Sequence, residues 1–341
     1  MFLKRVVLGI DFSDASLGTA RWAARHLAPD AELALVHVVP LAPPPGFLRR
    51  ELPGSDHLLE HARDATRQGL RGLANSIGAV RCITSVRAGE PAEELVHAAA
   101  EVEAELIVIG RAGQRARTGR GMGTTADRLT RRSPLPVLLA ARTLRATPHH
   151  ILAPIDESEV GLDVLRWARR LGVQCDASIT ALHVVHDTIR AYLDAAGAGA
   201  VDDAARTSDD ARHGAHGVRD AAHTWLQSRM RTAGIDPAHE SSAATIGDPR
   251  HELLVAAECF DADLIVVGQH GADADERSGL GSVARAALRP STRSVLVVPP
   301  PSGGAVLRGP GPGRQQLTVV RSSRSPRRRL EVEVGAGPPA A

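Results

Sequence analysis

Aromatic residues, lysine and cysteine are scarce in this chain of 341 residues. Only 2% of the residues are aromatic, so we expect cores built from Ala, Val, Leu and Ile, which is feasible because 43% of the residues are hydrophobic. Lys4 is the single lysine, which excludes a Walker A loop, whose lysine must reach the β- and γ-phosphates. The three cysteines, Cys82, Cys175 and Cys259, lie too far apart in the sequence to indicate a disulfide framework or a zinc site.

Strong net charge and long apolar runs are missing as well. The chain has 41 basic and 39 acidic residues, and a net charge of +2 does not favour a nucleic-acid-binding or membrane-surface protein. No apolar run approaches the roughly 20 residues that cross a bilayer. The N-terminus enters a strand pattern at residues 5–10 without the apolar region of a secretory signal. We therefore expect a cytoplasmic protein with no membrane partner and no nucleic-acid partner.

One unusual glycine spacing occurs twice in the chain. Gly110-x-x-Gly113 is followed by nine residues and then Gly123-Thr124, and Gly268-x-x-Gly271 is followed by nine residues and then Gly281-Ser282. Each copy begins where an aliphatic run ends and finishes just before a helical pattern. A glycine-rich loop between a strand and a helix directs backbone N–H groups toward an anion. Both loops are therefore predicted to hold phosphate groups.

The repeat extends well beyond the glycines, which indicates a duplication. Residues 6–13 match residues 151–158, residues 21–23 match residues 166–168, and residues 89–91 match residues 247–249. The offset between the copies is 145 residues at the first strand and 158 residues at the glycine loop. The second copy therefore has an insertion of about 13 residues, which lies between His183 and Gly247.

Each copy alternates aliphatic strands with helical patterns, which predicts an α/β fold with a parallel sheet covered by helices on both faces. We expect two tandem doubly wound domains, over residues 1–144 and 147–300, each with a ligand crevice at the carboxyl ends of its strands. Asp11 and Asp156 end the first strand of each copy, so they should lie beside the glycine loops. The Pro-, Gly- and Arg-rich tail, residues 301–341, is predicted to be disordered.

These residues resemble the universal stress protein family in its tandem two-domain form. The resemblance rests on the glycine spacing, on a strand that ends in Asp with a Ser two residues later, and on a His-Val pair in the second strand. It spans about residues 2–299. The family implies a five-stranded parallel sheet in the order 3-2-1-4-5 in each domain. It also implies an adenine nucleotide as the ligand, ATP or AMP, together with Mg²⁺.

The same resemblance implies a set of binding residues in each half. In the first half Asp11 would contact the ribose and Val38 the adenine through its backbone. The residues implied to hold the phosphates there are Gly110, Gly113, Gly123, Thr124 and Thr125. The matching set in the second half is Asp156, Val184, Gly268, Gly271, Gly281, Ser282 and Val283. No catalytic residue and no metal site made by protein side chains is expected, and His37 and His183 are interpreted as core or crevice-edge histidines.

The two glycine loops differ in charge. The first loop contains Arg111, Arg115, Arg117 and Arg120 without an acidic residue, whereas the second contains Asp273, Asp275 and Glu276 against Arg277. A triphosphate brings about four negative charges, and each charge contact at a partly exposed site contributes up to roughly 1 kcal/mol. The first half is therefore expected to bind ATP more tightly. The alternative is that these charges point into solvent and have no effect on binding.

The function predicted from these features is that of an ATP-binding regulatory protein of the stress response. One alternative is a slow ATPase or phosphotransfer enzyme, although the P-loop lysine and a residue placed to activate water are missing. Another is a nucleotide-independent interaction protein that acts through its Arg-rich tail.

The final strands, residues 137–140 and 295–298, are predicted sheet edges. In the family such strands commonly pair across a two-fold axis, and here both copies lie in one chain. We therefore expect an intramolecular pseudo-dimer. A homodimer of the whole chain and an unidentified protein partner are left open.

Overall fold

The computed structural model describes residues 2–39, 55–79, 81–111, 122–141, 146–189, 208–272, 279–289, 293–301 and 318–320. The elements of the first half are β1 (Arg5–Gly9), α1 (Asp14–Trp22), β2 (Glu32–Val39), α2 (Ser55–Ile77), β3 (Arg81–Ala88), α3 (Pro91–Glu101), β4 (Leu106–Gly110), α4 (Thr124–Arg132) and β5 (Val137–Ala140). A π-helical turn, Ala23–Leu27, continues α1.

The second half repeats this order with β6 (His150–Pro154), α5 (Glu159–Cys175), β7 (Ser178–His186), α6 (Ser208–Thr232), β8 (Ser241–Gly247), α7 (Pro249–Cys259), β9 (Leu264–Gly268), α8 (Ser282–Leu288) and β10 (Ser294–Val298). The predicted alternation of strands and helices is therefore confirmed in both halves. Within the described residues, no helix is both long and apolar enough to cross a bilayer.

The described strands, of which β11 (Thr318–Val320) is the last in the chain, form one eleven-stranded sheet in the order β11-β3-β2-β1-β4-β5-β10-β9-β6-β7-β8. The first half has the strand order 3-2-1-4-5 with every neighbour parallel, which confirms the predicted doubly wound fold. The second half has the equivalent order, β8-β7-β6-β9-β10, running in the opposite direction along the sheet. The connection after β1 leads to β2 on one side of the sheet, and the connection after β4 leads to β5 on the other side. The carboxyl ends of β1 and β4 therefore border the crevice of the first half.

The strands are aliphatic throughout because both faces of the sheet are buried. Val6 and Leu8 of β1 pack into the core on one face of the sheet, and Val7 between them packs into the core on the other face. All three side chains are at most 1% exposed. Burying each of these side chains stabilises the fold by about 1.5–3 kcal/mol, so small aliphatic residues replace the missing aromatic ones.

The last strands of the two halves, β5 and β10, pair with each other in antiparallel register. Val295 lies opposite Leu139, and Val297 lies opposite Val137. The Ala141 N–H donates to the Ser294 hydroxyl across this seam at 2.9 Å. Since each strand would otherwise be a sheet edge with unpaired backbone groups, the pairing satisfies both edges at once.

A second group of contacts joins the halves at the opposite ends of the first-half strands. Arg170 of α5 forms an ion pair with Glu105 at 2.6 Å, and the Lys4 backbone N–H donates to the same carboxylate at 2.7 Å. Burial by itself would raise the pKa of Glu105, but these hydrogen bonds outweigh it and the pKa is lowered. The Gln174 side chain accepts a hydrogen bond from the Leu3 N–H at 3.1 Å.

Part of the tail differs from its prediction. Thr318–Val320, inside the segment expected to be disordered, forms β11 and pairs antiparallel with β3. The physical reason is that β3 ends the sheet of the first half and presents unpaired backbone groups, which a short β-branched segment can pair with. The other tail residues beyond residue 301 lie outside the described residues.

Two glycines in helix interiors have different surroundings. A Cβ at Gly72 of α2 would have no neighbour within 4 Å. A Cβ at Gly172 of α5 would lie 2.9 Å from Ile179 Cδ1 and 3.1 Å from the Ala177 carbonyl oxygen. Gly172 therefore permits the close packing of α5 on β7.

Candidate functional site

Asp11 and Asp156 follow the first strand of each half, and a serine two residues later holds each carboxylate. Asp11 Oδ1 accepts from the Ser13 backbone N–H at 3.0 Å and from the Ser13 hydroxyl at 2.5 Å. The Ser13 oxygen in turn accepts from the Ser16 N–H at 3.2 Å and caps α1. Asp156 Oδ1 accepts from the Ser158 N–H at 3.0 Å and from its hydroxyl. A carboxylate has about four acceptor sites, so an aspartate at this position is of a chemical type that can accept from a ligand hydroxyl.

His37 ends the hydrogen-bond ladder between β1 and β2. The Glu32 N–H donates to the Lys4 carbonyl, and the Val36 carbonyl accepts from the Ile10 N–H, both at 2.8 Å. The next acceptor on the β1 side, the Ile10 carbonyl, bonds the His37 imidazole Nδ1 at 2.7 Å. Because a carbonyl oxygen only accepts, Nδ1 carries the hydrogen. The imidazole therefore takes the acceptor that would form the next rung of the ladder.

This bond affects the direction of the Val38 backbone. Alternate residues of a strand bond to the same neighbouring strand, so Val38 directs its backbone groups to the same side as Val36. On that side β1 has already ended at Gly9. The backbone N–H and C=O of Val38 therefore point into the crevice beyond the end of β1, where a planar heterocycle could pair with them.

The second half repeats this arrangement at equivalent positions. The Leu182 carbonyl accepts from the Ile155 N–H at 2.8 Å, and the Ile155 carbonyl bonds the His183 Nδ1 at 2.9 Å. Val184 follows two residues after Leu182 and so directs its backbone beyond the end of β6, which is at Pro154. The histidines are crevice-edge residues, as interpreted from the sequence, and their neighbours are Phe12 at 5.1 Å for His37 and Trp225 at 4.5 Å for His183 (ring centroids).

The first glycine of each loop lies where β4 or β9 meets the first turn of a helix. We call the described ends of the first loop, residues 110–111 and 122–123, the first cradle, and the described ends of the second loop, residues 268–272 and 279–281, the second cradle. A Cβ at Gly110 would lie 3.3 Å from the Ala15 backbone carbon of α1, and a Cβ at Gly268 would lie 2.8 Å from Val160 Cγ1 of α5. Both positions therefore favour glycine, and Gly268 more strongly than Gly110, because the loop backbone approaches the neighbouring helix closely.

The other described glycines of the second cradle are confined as well. A Cβ at Gly271 would lie 2.5 Å from Asp156 Oδ2, and the same oxygen accepts from the Ala272 N–H at 2.8 Å. A Cβ at Gly281 would lie 3.3 Å from the Gln269 carbonyl oxygen. The start of the second loop, at Gly271 and Ala272, therefore lies directly against the aspartate that follows β6.

The helices that follow the cradles begin at their last glycines. Gly123 and Gly281 are the N-cap residues of α4 and α8. Thr124 and Ser282 are exposed, whereas Thr125 is half-buried. Val283, the counterpart of Thr125, is half-buried against the core and offers no hydroxyl group. The second cradle therefore has one hydroxyl donor fewer than the first.

His270 is a candidate site residue that the sequence analysis did not identify. Its Nδ1 is buried and has no hydrogen-bond partner among the described residues. A buried polar atom without a partner is costly, so it favours a ligand or water at this position. The signal available in the sequence was its place inside the Gly268-x-x-Gly271 spacing.

The structure corrects the charge argument for Arg111. Its guanidinium does not face the first cradle but donates to the carbonyl oxygens of Leu288, Arg289 and Arg293 in the second half, at 2.6 Å for Arg289 and 3.3 Å for Arg293. Burial lowers the pKa of this guanidinium. The reason is tertiary: the β5–β10 seam brings the carbonyl-rich end of α8 within reach. Gly113 and the remaining charged residues of both loops, Arg115, Arg117, Arg120, Asp273, Asp275, Glu276 and Arg277, lie outside the described residues.

Comparison with known proteins assigns the chain to a family. The profile of the universal stress protein family matches residues 3–141 and residues 148–299. Universal stress protein Rv2623 of Mycobacterium tuberculosis is 32% identical over 174 residues, which cover 44% of this chain and 52% of that protein. The chain thus spans about half the length of this relative.

Two solved structures align with the chain, and the first of them is similar in fold. A universal stress protein from Archaeoglobus fulgidus has a TM-score of 0.61 at 17% identity, with 86% of this chain and 98% of that chain covered. A universal stress protein in complex with cAMP aligns with a TM-score of 0.28 at 21% identity, with 44% of this chain and 96% of that chain covered. The two profile matches together take in most of the chain, and the protein belongs to the universal stress protein family, with two tandem family domains.

Proposed function

We propose that the protein is a cytoplasmic regulatory protein of the stress response that binds an adenine nucleotide, ATP with Mg²⁺, at one site in each half. The observation that carries the proposal is the backbone arrangement that occurs twice. In each half a histidine bonds the carbonyl of the residue that directly follows the first strand, and the next residue, a valine, directs its backbone into the crevice. In the second half the aspartate also contacts the start of the glycine cradle, which supports placing the two in one site.

Each part of the proposed site matches one part of the nucleotide. The backbone N–H and C=O of Val38 or Val184 suit the donor and acceptor edge of adenine. Asp11 or Asp156 would accept from a ribose hydroxyl. Backbone N–H groups of the cradle would bind the phosphates, as at other glycine loops that precede a helix.

The metal ion would enter with the nucleotide. The described residues contain no group of three or more His, Cys, Asp or Glu side chains that could hold a metal ion. Mg²⁺ is commonly bound through phosphate oxygens and waters with only one or two carboxylates, so this donor set fits an ion carried by the triphosphate.

The proposal assigns one site to each predicted domain, over residues 1–144 and 147–300. The antiparallel seam between β5 and β10 supports treating the two domains as an intramolecular pseudo-dimer. Nucleotide occupancy would then alter the crevice edges and, through them, the surface that a protein partner contacts. The prediction that the first half binds ATP more tightly can no longer rely on Arg111, because its guanidinium bonds the second half.

The first experiment is to denature the purified protein and identify the released nucleotide by chromatography, with its amount per chain. ATP–Mg²⁺ is then titrated by calorimetry into nucleotide-free protein. Asp11→Asn and Asp156→Asn should each weaken one site, because asparagine keeps the turn but removes the charge that attracts ribose hydroxyls. Asp14→Asn, an exposed residue of α1, is the matched control.

The outcomes separate the functions considered. Two nucleotides per chain, or two calorimetric sites of which each variant loses one, support the proposal. Absence of nucleotide and of binding heat would refute it. Multiple-turnover release of ADP that is lost in Asp11→Asn would instead identify an ATPase.

A further inference from the structure

Arg111 follows the first glycine of the first cradle, and its side chain reaches the second half of the chain. Its guanidinium donates to the carbonyl oxygens of Leu288, the last residue of α8, and of Arg289, the C-cap. These carbonyl groups have no partner inside the helix, and a cation at a helix C-terminus is favourable. The first cradle is therefore fastened to the end of the helix that begins at the second cradle.

Gln269 occupies the equivalent position in the second cradle and makes the reciprocal contact. Its side-chain amide Nε2 donates to the Thr130 carbonyl oxygen, in the last turn of α4, at 2.9 Å. Gln269 is 5% exposed and Thr130 is 1% exposed, so this bond is shielded from water. The second cradle is thus fastened to the end of the helix that begins at the first cradle.

The same two residues also close their own loops. The Gln269 carbonyl accepts from the Gly281 N–H at 2.7 Å, and the Arg111 carbonyl accepts from the Gly123 N–H at 3.4 Å. Each residue therefore bonds its own cradle through its backbone and the helix of the other half through its side chain. A shift of either cradle backbone must move a side chain whose partner lies in the other half, or leave a buried donor unpaired, which is costly.

We infer that Arg111 and Gln269 are positioning residues that couple the two cradles, so that occupancy of one cradle changes the ligand affinity of the other. The inference rests on the proposed function for the identity of the ligand. Its mechanical part, the dependence of one cradle on the side chain from the other half, stands without a ligand. By linkage, the factor by which the first site affects the second must equal the reverse factor.

The first test needs no nucleotide. Amide hydrogen exchange is measured on the folded chain for Gln269→Leu, which keeps the side-chain volume but removes the donor. We expect exchange of the Gly123 and Asp127 amides, whose hydrogen bonds close the first cradle and begin α4, to accelerate about fivefold, the equivalent of one lost hydrogen bond. Arg111→Met should accelerate exchange of the Gly281 and Arg285 amides in the same way.

Gln174→Leu is the matched control, because it also removes a glutamine hydrogen bond between the halves, to Leu3, but far from the cradles. Unchanged exchange at the α4 start in Gln269→Leu would overturn the inference. Equal acceleration there in Gln174→Leu would overturn it too, because the effect would then reflect general loosening of the seam.

The second test measures the coupling itself by calorimetric titration of ATP–Mg²⁺. The wild type should show two sites that interact by a factor of about five or more, and Gln269→Leu should bring this factor toward one. Arg111→Lys, which keeps the charge but replaces the guanidinium fork with a single donor nitrogen, should retain part of this coupling. Two independent sites in the wild type would refute the coupling. If the wild type binds no nucleotide, the proposed function fails, and the exchange experiment still decides whether the cradles are coupled.

Discussion

Replacement of His37 by alanine tests how the crevice of the first half is kept open. In the native chain the imidazole occupies the Ile10 carbonyl at 2.7 Å, and this leaves the Val38 N–H directed into the crevice. Without the imidazole, the Ile10 carbonyl is free to accept from Val38, which would extend the ladder between β1 and β2 by one rung. We expect His37→Ala to weaken nucleotide binding in the first half.

The two effects of the substitution differ in size. Loss of the imidazole bond costs about 0.5–1.5 kcal/mol, and loss of the ring contact with Phe12 costs a similar amount. The new rung returns roughly one hydrogen bond, so the free energy of unfolding should fall by only about 1 kcal/mol. Binding loses one hydrogen bond to the adenine edge, about 1 kcal/mol or slightly more, which is about a five- to tenfold rise in Kd.

Calorimetric titration of ATP–Mg²⁺ and urea unfolding, followed by the fluorescence of the three tryptophans, measure both quantities. His37→Asn is the conservative control, because its amide can donate to the same carbonyl and should restore part of the affinity. His183→Ala should reproduce the effect at the other site only. An unchanged Kd in His37→Ala, with the fold intact, would refute the role assigned to the histidine.

Three further predictions concern stability and reactivity. Gly72→Ala should stabilise the protein by up to about 1 kcal/mol through helix propensity, whereas Gly172→Ala should destabilise it by about 1–2 kcal/mol through overpacking. Urea unfolding measures both changes, and a change of the same sign in the free energy of unfolding of the two variants would contradict the packing described. The pKa of Glu105 is lowered, so its stabilising contribution is present above the unfolded-state pKa of about 4.3 and is lost as the pH falls through the folded-state value. Glu105→Gln should therefore flatten the decline of the urea midpoint as the pH falls below about 4.3, and an unaltered slope would count against the assignment. A thiol reagent at about pH 8 should label only the exposed Cys259 in the folded chain. Burial raises the pKa of the Cys82 thiol to about 12 and that of the Cys175 thiol to about 11. Rapid labelling of all three cysteines without denaturant would contradict this prediction.

Much of the local structure could be predicted from the sequence because it depends on neighbours in the chain. Ser13 caps α1, and Gly123 and Gly281 begin helices, as the strand–loop–helix pattern implies. The aliphatic runs form buried parallel strands, since a strand covered on both faces admits only apolar residues. The strand order was supplied by the family resemblance, and alternation of strands and helices alone left it open.

The roles of single side chains were harder to predict. The charge argument assigned Arg111 to phosphate, yet the guanidinium bonds carbonyl groups of the second half. His37 was interpreted only as a crevice-edge residue, whereas its effect on Val38 depends on where β1 ends beside β2. In both cases the partner is far away in sequence, and spacing along the chain contains no information about it.

The sequence by itself determined the duplication, the order of the elements and the positions of the two glycine loops, because these follow from local spacing and from the periodicity of apolar residues. The family resemblance led to the expectation that β5 and β10 pair. Only the tertiary structure decided that β11 covers the edge at β3 and that Arg111 and Gln269 each reach the helix of the other half. The physical reason is that these contacts form between surfaces brought together by packing, where the direction and reach of a side chain depend on the position of the entire neighbouring half.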